Sequence, residues 1–97
     1  MTHLDHTIPS KEFAKESLEE FMNRLGKNVC YFRKKLDLLR QEDLAEEVEV
    51  TRQTIISIEK GRRNTGSYSL ARIAYILEVS ADDLLYGKYD PKDLKNI

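Results

Sequence analysis

Residues 48 to 64 read VEVTRQTIISIEKGRRN. The middle of this stretch holds three isoleucines and its flanks hold four cations, in a chain whose formal net charge is only −1. Helical geometry separates the two sets. Thr51 reads as an N-cap, because Val50 before it and Ile55 within the following turn stand where a hydrophobic staple needs its two apolar partners. Gly61 supplies the left-handed stop. Between these signals Ile55 and Ile58 lie three apart on the stapled side. Arg52, Gln53, Ile56, Ser57 and Lys60 share the opposite side through i, i+3 and i+4 relations. One face is core. The other presents a guanidinium, a carboxamide, a small hydroxyl, an ammonium and one apolar side chain.

That inventory suits the edges of base pairs. Arginine forks onto guanine, glutamine pairs with adenine, and an apolar side chain such as Ile56 can lie on a thymine methyl, all within reach of a helix in the major groove. Just upstream, Gln41 to Val48 places Leu44, Ala45 and Val48 on one helical face with acidic residues around them. Two short helices joined only by Glu49 and Val50, the second carrying its polar face at its N-terminal end, have the layout of a helix-turn-helix.

Outward from this pair the chain reads as all-α. Proline occurs only at positions 9 and 91, and no alternating apolar run is present. Upstream, Ser10 reads as an N-cap followed by the stripe Ala14, Leu18, Phe21, Met22 and Leu25, which continues beyond Gly26 as Val29, Phe32, Leu36 and Leu39. This predicts two helices or one kinked helix. Downstream, a helix from about Tyr68 to Leu77 turns Leu70, Ile73, Ala74 and Leu77 inward. Another opens at SADDLL, with Ser80 as cap and Asp82 and Asp83 at the positive helix end, and Gly87 ends it. The expectation is five short helices over residues 25–87, an amphipathic helical extension over 1–24 and a polar tail over 88–97.

A chain of 97 residues has room for one modest core, and 40% apolar with 34% charged residues is the composition of a folded soluble domain. No apolar run approaches the roughly 18 residues of a membrane span, and the first twenty residues lack the character of a secretory signal, so a cytoplasmic location is expected. The single cysteine, Cys30, has no internal disulfide partner and is assigned to packing. Charge alternates along the chain. Residues 25–40 hold five basic residues against one acidic, 41–50 hold five acidic and no basic, and 51–63 hold four basic against one acidic. Local basic patches, not net charge, would therefore drive binding to a polyanion.

QEDLAEEVEVTRQTIISIEKGRRN followed by LARIAYILEVSADDLLYG resembles the helix-turn-helix domain of the lambda-repressor/Cro type, often called the XRE family, over roughly residues 25 to 87. The resemblance implies a five-helix lambda-repressor-like domain that binds double-stranded DNA and regulates transcription, most simply as a repressor. It implies that Gln41 touches a phosphate from the start of the second helix and that Arg52, Gln53 and Ser57 read bases. Arg62, Arg63 and Asn64 would form a loop that grips the backbone, with Thr51 and Lys60 beside them. It further implies that Glu59 is a buried acid paired with a basic residue of the first helix, here Lys34. Relatives with this fold pair up, so a homodimer on a near-palindromic operator is expected, its surface drawn from Tyr75, Leu85 and Tyr86 or from Phe13, Leu18 and Phe21.

The sequence departs from the family at several helix ends. Leu38, Glu49 and Glu78 stand where glycine is usual, Arg40 where a small polar N-cap is usual, and Thr65 where proline is usual. Other chemistries have little to stand on. His3, Asp5 and His6 have ligand-like spacing without a fourth ligand nearby, and no histidine lies within the predicted domain. No metal, cofactor, small-molecule ligand or membrane is expected, and with no phosphate loop or nucleophile-base pair the chain is not read as an enzyme. The alternative reading is an antitoxin-like or adaptor module that keeps the fold but holds a protein partner through the extension or through acidic Glu42, Asp43, Glu46 and Glu47.

Overall fold

The first helix among the described residues begins where Ser17 and Glu20 cap each other: the Glu20 N–H donates to Ser17 Oγ at 3.1 Å, and the Ser17 N–H donates to Glu20 Oε1 at 3.0 Å. In this computed structural model, which describes residues 15–36 and 39–94, α1 runs unbroken over Leu18–Lys35. The upstream stripe is thus one helix through Gly26 in its described part, while Ser10 and Ala14 lie outside the described residues. Gly26 has a packing reason to be glycine. A Cβ there would sit 2.4 Å from the Ile58 carbonyl oxygen and 2.7 Å from that of Glu59. Its absence lets α1 cross directly on the backbone of the helix that ends at Glu59.

Four further helices follow: α2 over Gln41–Val48, α3 over Arg52–Glu59, α4 over Ser67–Leu77 and α5 over Ala81–Tyr86. A 3-10 turn covers Pro91–Asp93. Thr51 Oγ1 accepts the Thr54 N–H at 3.1 Å and Ser80 Oγ accepts the Asp83 N–H at 3.1 Å, so both expected N-caps are formed. Arg40 cannot accept such a bond. Asp43 reaches back in its place, its carboxylate taking the Arg40 N–H at 3.0 Å.

Three helices end in the same way, with paired backbone bonds around one left-handed residue. After α3 that residue is Gly61 at φ 73°, with Gly61 N–H to Ile58 O at 3.0 Å and Arg62 N–H to Ser57 O at 2.9 Å. After α2 and α4 it is Glu49 at φ 67° and Glu78 at φ 61°. Val50 N–H to Ala45 O at 2.9 Å and Val79 N–H to Ala74 O at 3.1 Å close those ends. The departures at Glu49 and Glu78 therefore leave the expected backbone path intact and put a β-carbon where the family has none. Leu38 lies outside the described residues. Gly87 stops α5 in an extended conformation at φ −68°, and what it provides is space. A Cβ there would lie 2.4 Å from the Asp83 carbonyl oxygen and from the Tyr89 ring.

Among the described residues the core is one cluster to which all five α-helices contribute. Leu25, Val29 and Phe32 come from α1, Leu44, Ala45 and Val48 from α2, Ile55 and Ile58 from α3, Ile73, Ala74 and Leu77 from α4, and Leu84 from α5. α3 is held between α1 and α2, α4 closes over α2, and α5 returns to α1. Beyond Gly87 the chain also packs on α1. The Tyr89 ring stacks on Tyr31 at 4.8 Å and meets Phe32 edge-on at 4.6 Å between centroids. Among the described residues no helix is long and apolar enough to cross a membrane.

Candidate nucleic-acid interface

The helical phase read from residues 51 to 61 is the phase observed. Ile55 and Ile58 are buried at 0% and 2% exposure, and Arg52, Gln53 and Lys60 are exposed on the far side with Ile56 and Ser57 half-buried between them. Arg62, Arg63 and Asn64 are exposed on the loop that leaves Gly61, and Thr51 is exposed at the helix start. A little over two turns of helix thus carry donors, acceptors and an apolar surface side by side. The Schellman closure at Gly61 fixes the direction in which the cationic loop departs.

Glu59 anchors this unit, but with a different partner from the one expected. Lys34 is exposed, and the acid is held by Arg33: Nε lies 2.6 Å from Oε2 and Nη2 lies 3.0 Å from Oε1. The reason is phase. Arg33 follows Val29 by four residues and Gly26 by seven, so it points with them toward α3, whereas Lys34 is turned about 100° away. Arg33 also gives Nη1 to the Leu39 carbonyl at 3.0 Å. The largest influence on its guanidinium is burial, which acts downward. The hydrogen bond and charge of Glu59 outweigh it and leave the Arg33 pKa raised. Beside it, burial first and the Glu59 charge second push the Cys30 thiol up, in keeping with a packing role.

Gln41, expected to touch a phosphate, is half-buried at the start of α2, and its Nε2 donates to Glu59 Oε1 at 3.0 Å. One carboxylate therefore ties the side of α1, the first residue of α2 and the last residue of α3 together. A second set of charges lies on the exposed N-terminal ends of α2 and α3. Arg52 Nε is 3.6 Å from Glu42 Oε1, Arg40 Nη1 is 3.5 Å from Glu42 Oε2, and Arg40 Nε is 3.1 Å from Asp43 Oδ2. The Arg40 side chain holds the Asp43 carboxyl below the usual carboxylate range.

One polar residue escapes a reading based on charge and periodicity. Asn28 is wholly buried. Its Nδ2 donates to the carbonyls of Leu84 at 2.8 Å and Gly87 at 2.9 Å, and its Oδ1 accepts the Tyr89 N–H at 3.0 Å. It satisfies the end of α5 and ties down the segment that follows. The available signal is its place in the apolar stripe between Leu25 and Phe32, where an amide needs partners. Among the described residues no group of three or more histidine, cysteine, aspartate or glutamate side chains could hold a metal ion. His3, Asp5 and His6 lie outside the described residues, as does Phe13.

Comparison with known proteins gives consistent results. The helix-turn-helix family profile matches residues 31–84. The chain is similar to an uncharacterised HTH-type transcriptional regulator of Methanocaldococcus jannaschii, 40% identical over 64 residues that span 66% of this chain and 97% of the relative. It is also similar to an uncharacterised HTH-type transcriptional regulator of Methanothermobacter thermautotrophicus, 56% identical over 39 residues, or 40% of this chain and 56% of that one. In three dimensions it is similar to the clp gene regulator ClgR from Corynebacterium glutamicum. The TM-score is 0.66 at 27% identity, covering 69% of this chain and 70% of that chain.

Proposed function

The chain belongs to the XRE-type helix-turn-helix family of DNA-binding transcriptional regulators, which are not enzymes, and on that premise we propose that it represses transcription by reading a near-palindromic operator with α3 in the major groove. The observation that carries this reading is the division of α3. Its apolar side is locked in the core, and its outward side offers Arg52, Gln53, Ile56 and Ser57, whose chemistry matches that of base edges in the major groove. Gln41, Thr51, Lys60, Arg62, Arg63 and Asn64 flank that face and serve as backbone contacts, and the unit that binds extends over residues 25–87. Occupation of the groove excludes other proteins from the same site, which is the basis of the repressor assignment.

A single helix of this length reads only a few base pairs, so two copies on half-sites about 34 Å apart are needed for a specific site. We assign the pairing surface to α4 and α5, where Tyr75 is 81% exposed and Leu85 and Tyr86 are half-buried. Leu18, at 58% exposure, and Phe21 on α1 form the other candidate.

The test is enrichment of a preferred duplex from a random library, followed by binding titrations at several salt concentrations with light scattering on the complex. Each phosphate contact adds about 0.9 to the log-log salt slope. The expected result is an enriched site of two related halves, a steep slope and two chains per duplex. Absence of any enriched sequence, or binding indifferent to salt, rejects the reading in favour of a protein-binding module.

A further inference from the structure

The acidic residue nearest the outward face of α3 has no place in the reading above. Glu42 stands in the first turn of α2, and its two carboxylate oxygens face two different arginines, Oε1 toward Arg52 Nε at 3.6 Å and Oε2 toward Arg40 Nη1 at 3.5 Å. All three side chains are well exposed, at 59% for Arg52, 49% for Glu42 and 68% for Arg40. Exposed ion pairs of this kind contribute little to fold stability. A carboxylate on a surface that meets a polyanion also weakens binding to every duplex. Its position is explained if it improves discrimination.

We propose that Glu42 is a specificity-determining residue that acts through Arg52; this rests on the DNA-reading assignment of α3. The closest approach is to Nε, and a carboxylate on that edge still leaves the end of the guanidinium, with one N–H from each terminal nitrogen, to fork onto the O6 and N7 of a guanine. Glu42 also competes with phosphate for Arg52. On a duplex without guanine at that position, an arginine on a flexible stem would otherwise swing to the nearest phosphate and recover much of its binding, because phosphate contacts carry no sequence information. With Glu42 beside it, Arg52 already has an anionic partner, so the phosphate contact gains less. The guanine contact, made with the other end of the same group, is retained. Arg40 keeps the carboxylate in place by holding its second oxygen. The wrong duplex is thereby disfavoured by a charge built into the protein, a repulsive element working together with the attractive one.

The experiment is a cycle of four proteins, the natural chain, Glu42→Gln, Arg52→Ala and the double variant, each titrated against the enriched duplex and a scrambled one at several salt concentrations. Glu42→Gln is expected to tighten scrambled duplex by about tenfold and steepen its salt slope by about 1, while the enriched duplex changes much less. In the Arg52→Ala background the same substitution is expected to shift both duplexes by one common factor. If Glu42→Gln instead tightens both duplexes alike in the presence of Arg52, Glu42 is only a surface charge and the inference is wrong, with the DNA-reading assignment untouched. If the natural chain discriminates between no duplexes at all, that assignment fails first and the inference falls with it.

Discussion

Arg33 and Glu59 form a bidentate pair between α1 and α3, with Nε to Oε2 at 2.6 Å, Nη2 to Oε1 at 3.0 Å, and side chains only 10% and 6% exposed. Removing one partner of such a pair leaves the other charged and buried, which costs about 3–5 kcal/mol. Arg33→Ala should therefore destabilise the fold by that amount, whereas Lys34→Ala, at an exposed neighbouring position, should stay within about 0.5 kcal/mol. Urea denaturation of both variants decides the matter. Equal losses would mean that the acid is shared between the two cations.

The contrast between these neighbours shows what is legible in the sequence. Local rules suffice for the faces of α2, α3 and α4, because the phase of Leu44, Ala45 and Val48, of Ile55 and Ile58, and of Ile73, Ala74 and Leu77 needs only helical periodicity. Thr51, Ser80 and Gly61 likewise announce their helix ends through bonds no more than five residues long. The partner of Glu59 depends on where α1 crosses α3, which is set by contact at Gly26 with a backbone more than thirty residues away. Tyr89 is one aromatic in a polar segment, and its docking on Tyr31, Phe32 and the Asn28 amide joins it to a helix distant in sequence. The same holds for the interface. Its outward residues follow from phase, while the approach of Glu42 to Arg52 joins two helices and has no signature in either one.

Glu49 and Glu78 hold left-handed conformations at φ 67° and 61°, where a side chain crowds the following carbonyl. Glycine relieves that crowding but loses more conformational freedom on folding, so the net gain is a fraction of the local strain. Glu49→Gly and Glu78→Gly should each stabilise by roughly 0.5–1 kcal/mol. Because the two sites close different helices without a shared partner, their effects should add. Calorimetry on the two single variants and the double variant measures this, and a lower melting temperature in either single variant would contradict it.

Asn28 is the buried amide on which the end of α5 depends. Truncation to alanine strips the Leu84 and Gly87 carbonyls and the Tyr89 N–H of their partner, at a cost of about 3 kcal/mol. The local effect should exceed the global one. Amide hydrogen exchange at Tyr89 and in α5 should accelerate before exchange at Ile55 and Ile58, since the former lose a direct bond and the latter do not. Uniform acceleration across the chain would show instead that α5 and the core open as one unit.

Arg52 and Arg63 lie on either side of Gly61 and are both exposed, yet they should respond differently to removal. Arg52 opens α3, where its fork reaches base edges. Arg52→Ala should therefore cost about 1–3 kcal/mol on the preferred duplex and much less on a scrambled one. Arg63 stands on the loop that follows the helix. A phosphate contact from that loop does not depend on sequence, so Arg63→Ala should weaken both duplexes alike and lower the magnitude of the salt slope by about 1. Ser57, one turn beyond Gln53 and half-buried, should alter preference at a single base pair when replaced. Titration of the three variants against both duplexes at several salt concentrations separates these roles. Equal weakening of both duplexes by Arg52→Ala would mean that the outward face of α3 grips backbone, and that base reading lies on another element.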